Sequence, residues 1–273
     1  MPVSASSFDL AAVEEGIRET AFAPRLTHLV STASTNTLAL EAAQGGARHG
    51  VWVADEQTAG RGRGGHGWHS AAGDGLYVSV LVSPALAMDR ALWLALATGL
   101  AAQAAILEAT DLKIDIRWPN DLILNGRKCG GILVETSVET SVASAEALLR
   151  YAVIGIGINV NHAEFPPELR ALATSLRVEI GMPVPRETLL AALLRHLDRE
   201  ISRLVEERNG TPGTSLLERF AAASTWVWGK RVHVDEAGGY TGVTAGLDAR
   251  GFLEVLGDDG AVHTVLSGGV RAE

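Results

Sequence analysis

With 273 residues, 47% of them hydrophobic and 20% charged, the chain has the composition of a soluble globular protein. Its length leaves room for one large domain plus a small one, or two of medium size. A formal net charge of −9 argues against a broad nucleic-acid-binding face, which needs a basic surface. The single cysteine, Cys129, excludes an internal disulfide and a thiolate zinc cage, and it fits a reducing cytoplasm.

The first twenty residues carry acids and no basic start ahead of an apolar run, so they do not read as a secretory signal. Residues 9–20 predict a short helix. Ser34-Thr35-Asn36 precede TLALEAAQGG, which predicts a capped helix stopped by Gly45-Gly46. VWVAD (51–55) predicts a strand running into a glycine-rich segment. GLYVSVLVSP (75–84) predicts a second strand, with Val78, Val80 and Val82 alternating against Ser79 and Ser83. Residues 91–107, ALWLALATGLAAQAAIL, are mostly alanine and contain Thr98, Gly99 and Gln103. That stretch falls short of the roughly 20 strongly apolar residues a membrane span needs, and it predicts a buried core helix.

Pro119 cuts a strand over 114–118. Residues 122–124 and 131–138 flank Asn125-Gly126, a hairpin signal. A further strand covers 151–159, and an amphipathic helix covers 187–207. From Thr225 onward, short alternating runs are punctuated by Gly-Gly, Asp-Ala-Arg-Gly and Asp-Asp-Gly. They predict a small barrel of four or five strands, which divides the chain into domains 1–222 and 223–273.

The segment DEQTAGRGRGGHGW (55–68) carries the clearest chemistry. Gly60, Gly62, Gly64, Gly65 and Gly67 leave its backbone free to approach a ligand with N–H groups forward. Arg61 and Arg63 add forked positive charge suited to phosphate or carboxylate oxygens. The letters G-x-G-x-x-G are present, but no helix opens behind them, so this is not a dinucleotide fingerprint. Gly-Lys-Ser/Thr is absent, which excludes a Walker loop. Composition alone also allows a merely flexible surface loop.

In RWPNDLILNGRKCGG (117–131), Lys128 stands before a glycine pair, where an ammonium can meet developing negative charge in a partly dry site. A surface lysine at a hairpin end is the plainer alternative. Asp121 can help hold Mg²⁺ or can serve the turn after Pro119. Cys129 has no general base beside it and reads as packing. In YAVIGIGINVN (151–161), strand parity puts Gly155, Gly157 and Asn159 on one face, where a flat apolar ligand chain or a neighbouring helix would approach closely. His66 and His69 are three apart with no third ligand near, a weak metal signal.

Taken in order, Ser34-Thr35-Asn36, DEQTAGRGRGGHGW, RWPNDLILNGRKCGGILVE, VIGIGINVN and Ala173-Thr174-Ser175-Leu176 resemble the biotin–protein ligase family over most of the chain. The resemblance implies an α+β fold: a mixed sheet flanked by helices, similar to class II aminoacyl-tRNA synthetase cores, followed by an SH3-like barrel. It implies that Ser34, Thr35, Asn36 and Gln57 bind the polar ring of biotin, with Gly155 and Gly157 also in the biotin site. The stretch Gly60, Arg61, Gly62 and Arg63 would close over the biotin carboxylate and the ATP phosphates, and Lys128 would touch both. Trp68, Asn120 and Asn159 would lie near the nucleotide, and Asp121 near a Mg²⁺–phosphate network; Lys128, Arg63 and Asp121 are the implied catalytic residues. The implied partner is the biotin carboxyl carrier domain of a biotin-dependent carboxylase, with no nucleic acid and no membrane.

Some family members carry an N-terminal DNA-binding domain, for which the 33 residues before Ser34 are too few. His66 and Gly67 stand where a regulatory member carries basic residues, so ligand-linked dimerisation is in question although a homodimer is allowed. A lipoate–protein ligase uses similar adenylation chemistry; the GRGRGGHGW loop and the terminal barrel favour biotin. A non-catalytic sensing module would be favoured by loss of Lys128, Arg61 or Arg63, and all three are present.

Overall fold

The computed structural model describes residues 8–23, 25–140, 147–208 and 213–273, so residues 1–7 of the N-terminal stretch lie outside the described residues. In chain order the first half contains α1 (Leu10–Ile17), β1 (Leu26–Leu29), α2 (Thr35–Gln44), β2 (Gly50–Ala54), β3 (Gly75–Val82), α3 (Ala91–Thr110), β4 (Asp115–Arg117) and β5 (Asp121–Leu124). There follow β6 (Arg127–Thr140), β7 (Ala147–Asn159), α4 (Leu176–Ile180), α5 (Arg186–Arg208) and α6 (Leu216–Ala223). The chain ends with β8 (Trp228–Val234), β9 (Tyr240–Leu247), β10 (Leu253–Gly257), β11 (Val262–Val265) and β12 (Val270–Ala272).

Strands β1 to β7 form one seven-stranded sheet in the order β1-β2-β3-β7-β6-β5-β4. Only β1 and β2 pair in parallel, so the sheet is mixed, as expected. Its other face-to-face partners are helices. α3 and α5 pack on each other and cover one face, while α2 covers part of the other. The apolar circumference of α3 explains its resemblance to a membrane span: it is long and apolar enough to cross one, yet most of it is buried in this core. Its polar residues are satisfied there. Thr98 Oγ1 donates to Leu94 O at 2.6 Å, and Gln103 Nε2 donates to Ile114 O at 2.7 Å.

Three local expectations change. Ser34 does precede α2, but its side chain makes no capping bond. Ser79 does not face solvent: all eight residues of β3 are buried, because α2 roofs the serine side. β6 starts at Arg127 rather than near 131, because Asn125 and Gly126 (φ +49° and +77°) form a two-residue turn that lets β5 and β6 pair at once.

The last five strands form an antiparallel sheet ordered β11-β10-β9-β8-β12, consistent with an SH3-like unit. Two indoles pin it to the larger unit. Trp93 Nε1 donates to Arg250 O at 3.0 Å, and Trp118 Nε1 donates to Gly251 O at 2.9 Å.

Candidate active site

Antiparallel register builds the floor of the site. Arg117, Asp121, Gly131, Gly157, Tyr77 and Ala54 pair successively across β4, β5, β6, β7, β3 and β2, in one row on one face. Leu133, Gly155 and Ser79 form the next row. The glycines leave the middle of these rows without side chains, and other groups come down onto the backbone. A Cβ on Gly157 would lie 2.6 Å from the Trp68 indole, and one on Gly131 would lie 3.3 Å from it. A Cβ on Gly155 would lie 2.3 Å from Asn36 Oδ1. So the close approach expected over Gly155 and Gly157 is real, and here Asn36 of α2 and Trp68 of the glycine loop make it.

A cavity of about 50 Å³ lies above this floor. It is bordered by Ser34, Thr35, Asn36, Gln57, Arg61, Gly62, Arg63, Trp68, Asn120, Lys128, Gly155 and Gly157, so most residues singled out from the sequence converge on it. One end is a polar network. Gln57 Oε1 accepts from Thr35 N at 2.9 Å and Thr35 Oγ1 at 3.1 Å, and Gln57 Nε2 donates to Ser70 Oγ at 3.1 Å. The Ser79 hydroxyl sits between Thr35 Oγ1 (2.8 Å) and Asn36 Oδ1 (2.5 Å).

The other end is cationic. Arg63 Nη1 donates to Asn120 Oδ1 at 3.1 Å, and Arg61 Nη2 lies 3.3 Å from Glu135 Oε2. The same Glu135 oxygen accepts from Asn36 Nδ2 at 2.8 Å, so one carboxylate ties the polar end to the loop. Burial pulls the Arg63 pKa down, although Asp121 and Glu236 counteract it.

Lys128 is held through both its side chain and its backbone. Its ammonium pairs with Asp121 Oδ1 and lies 5.5 Å from the centre of the Trp68 ring. Its backbone N–H donates to Leu172 O at 2.9 Å, its carbonyl accepts from Thr174 N at 3.0 Å, and Asn159 Nδ2 braces Thr174 O at 3.1 Å. The Asp121 carboxylate has a second cationic partner: Arg117 Nε (3.1 Å) and Nη2 (2.5 Å) donate to its other oxygen. Burial works against that charge, but Lys128 and Arg117 outweigh it and hold the Asp121 pKa below the usual carboxylate range. Asp121 borders neither this cavity nor the one beside it. A carboxylate whose charge is already neutralised by two cations is a poor fit for a metal ligand, and no cluster of metal-binding residues occurs among the described residues, His66 and His69 included.

Across Trp68 and Lys128 lies a second cavity of about 600 Å³, bordered also by Gly67, His69, Arg117, Asn159 and Phe165. Asn159 borders this second cavity, whereas Asn120 faces Arg63 and the first. Gly60 borders neither; a Cβ there would meet Ser70 Oγ at 2.7 Å and Trp68 O at 2.8 Å, so it lets the loop fold back on itself. Sequence reasoning missed Glu135, Ser79, Ser70 and Arg117. Glu135 ends the GGILVE run and is a charge inside an apolar strand, a signal that was available.

The comparisons with known proteins agree with this geometry. The model of the biotin/lipoate A/B protein ligase family matches residues 29–159. The biotin–[acetyl-CoA-carboxylase] ligase of Mycobacterium tuberculosis is 34% identical over 257 residues, covering 90% of this chain and 87% of that protein. The bifunctional ligase/repressor BirA of Bacillus subtilis is 40% identical over 167 residues, covering 60% of this chain and 48% of that protein. For the Bacillus spizizenii counterpart the share is 54%, so the chain spans about half the length of these two curated relatives. Among solved structures, the biotin protein ligase from Aquifex aeolicus in complex with biotin and ATP superposes with a TM-score of 0.74 at 29% identity, covering 92% of this chain and 100% of that one. Matched over 90% of its length by the 34% identical Mycobacterium tuberculosis ligase, the chain belongs to the biotin/lipoate A/B protein ligase family.

Proposed function

We propose that this chain is an ATP-dependent biotin–protein ligase, which forms biotinyl-5′-AMP and then transfers biotin to a lysine of a biotin carboxyl carrier domain. The observation that carries the reading is the polarity of the first cavity: hydroxyls and amides at one end, a glycine floor, and Arg61, Arg63 and Lys128 at the other. A ureido ring suits Ser34, Thr35, Asn36 and Gln57, an apolar chain suits the side-chain-free floor at Gly155 and Gly157 beside Asn36 and Trp68, and a carboxylate suits the cations. The 50 Å³ space is far below the roughly 300–1,000 Å³ of small-molecule pockets, so Trp68 and its loop must lift to admit a ligand. The second cavity, sharing Trp68 and Lys128 with the first, has room for a nucleotide. The likeness to the Mycobacterium tuberculosis and Aquifex aeolicus proteins supports the same reading.

In this scheme a biotin carboxylate oxygen attacks the α-phosphorus of ATP and pyrophosphate leaves. Lys128, held by Asp121, stabilises the charge gathering on the phosphate oxygens in a partly dry site. The deprotonated carrier lysine then attacks the acyl carbon, and AMP leaves. The closed glycine loop keeps water from the anhydride between the two steps. Magnesium bound to the phosphates would supply further charge neutralisation, while the Asp121 carboxylate is paired with Lys128 and Arg117. We place the boundary between the catalytic unit (1–222) and the C-terminal unit (223–273) at the end of α6.

ATP–pyrophosphate exchange tests the reading when run with biotin, lipoate or no acid. Exchange that requires biotin is expected. Exchange with lipoate alone would move the chain to the lipoate branch of the family, and none with either acid would favour a sensing role.

A further inference from the structure

The C-terminal sheet meets the glycine loop at the turn 266–269 between β11 and β12. Glu236, at the head of the β8–β9 connection, clamps that turn. Its carboxylate accepts from Leu266 N at 3.0 Å, Ser267 N at 2.5 Å and Ser267 Oγ at 2.7 Å. Asp235 N adds a bond to Gly269 O at 3.1 Å, so the connection and the turn are joined at both ends. With its N–H and hydroxyl committed to Glu236, Ser267 has its carbonyl free, and Arg63 Nη2 donates to it at 2.5 Å.

The turn is shaped for that guanidinium. Gly268 has φ +85°, and a Cβ there would lie 3.1 Å from Arg63 Nη1 and 3.4 Å from Pro119. Arg63 is thus held between Asn120, in the turn from β4 to β5, and Ser267, in the turn from β11 to β12. Trp93 and Trp118 tie the small sheet to the larger unit through Arg250 O and Gly251 O. The Glu236 charge also faces Arg63. Burial opposes that carboxylate, but the bonds from Leu266 and Ser267, with Arg63, outweigh it and keep its pKa low.

We infer that the turn 266–269, set by Glu236, is a catch that holds the glycine loop closed through Arg63, which makes Glu236 a positioning residue. Arg63 then has a structural partner in the C-terminal sheet as well as any anion in the cavity. This deepens the proposed function by assigning the C-terminal sheet a task, retention of the reactive intermediate, and only that task rests on the ligase reading; the catch itself does not.

Limited trypsin digestion of the full-length protein without ligands, followed by mass spectrometry, reads the catch directly as cleavage after Arg61. Glu236→Ala is expected to speed that cleavage on the order of tenfold, the scale for losing one charge-assisted hydrogen bond, with Glu236→Gln in between. In an Arg63→Ala background, Glu236→Ala should add nothing. Gly268→Asn, which tolerates the positive φ but places a Cβ against Arg63, should free the loop with Glu236 intact, and it decides the question if Glu236→Ala fails to fold. Unchanged cleavage in folded variants, or the same factor with and without Arg63, overturns the inference. If the loop is freed as described, faster release of biotinyl-AMP by Glu236→Ala is the expected functional consequence. If the parent protein shows no biotin-dependent exchange, the ligase reading fails while the digestion still decides the catch.

Discussion

Asp121→Asn separates two roles for this carboxylate, holding Lys128 or holding a metal. The substitution keeps the shape and removes the charge that faces the Lys128 ammonium and the Arg117 guanidinium. Breaking a wholly buried pair costs about 3–5 kcal/mol. Here the Lys128 side chain is 35% exposed, and water screens the orphaned cation, which reduces the figure to roughly 1–2 kcal/mol. If that energy goes into misplacing the ammonium, single-turnover formation of biotinyl-AMP should fall roughly 5- to 30-fold, since about 1.4 kcal/mol is tenfold in rate. Lys128→Ala removes the donor itself and should cost at least ~100-fold. The assay is a double-mutant cycle read by single-turnover adenylation, with a Mg²⁺ titration for each variant. Acting through Lys128, Asp121→Asn should change the rate less than about twofold in the Lys128→Ala background, and the Mg²⁺ dependence should not move. An equal fold loss in both backgrounds, together with a raised Mg²⁺ requirement, would refute the positioning role.

Arg63→Ala is expected to loosen retention of biotinyl-AMP more than it weakens ATP binding; equal retention in a release assay counts against the loop as a water-excluding cover. Gly157→Ala puts a Cβ 2.6 Å from the Trp68 indole, and overpacking of this kind costs about 1–3 kcal/mol. The indole should be pushed off the sheet, giving a lower Tm and an altered Trp68 fluorescence, defined by the difference from Trp68→Phe; an unchanged spectrum would show that the indole does not rest there. His162 is buried, stacked on Phe165, with Nδ1 unpartnered, and burial followed by the nearby His69 pushes its pKa down to about 4. The unfolded chain takes up that proton below about 6.5, so the stability this neutral ring contributes is present above that pH and is lost as pH falls toward 4. His162→Phe should therefore lose less Tm between pH 7 and pH 5 than the parent, and parallel Tm curves would contradict this account.

The sequence by itself determined the kinds of element and the chemistry available to them. Period-two runs at 51–55, 75–84 and 151–159 became strands, the apolar 91–107 stretch became a core helix, and the loop 60–68 carried glycines and arginines legible as an anion cover, because propensity, turn chemistry and charge are properties of neighbours in the chain. The short helix α6 carries a local signal of its own, the capping box of Ser215 and Glu218. What only the tertiary structure decided was pairing between distant residues. Register set Gly131 beside Gly157, and α2 made Ser79 a buried hydrogen-bond partner of Thr35 and Asn36. The partnerships of Arg63 with Ser267 and of Glu135 with Asn36 and Arg61 join residues 204, 99 and 74 positions apart. Such bonds leave no periodicity to read, because they arise from where whole elements dock, and burial of apolar surface, not local spacing, sets that docking.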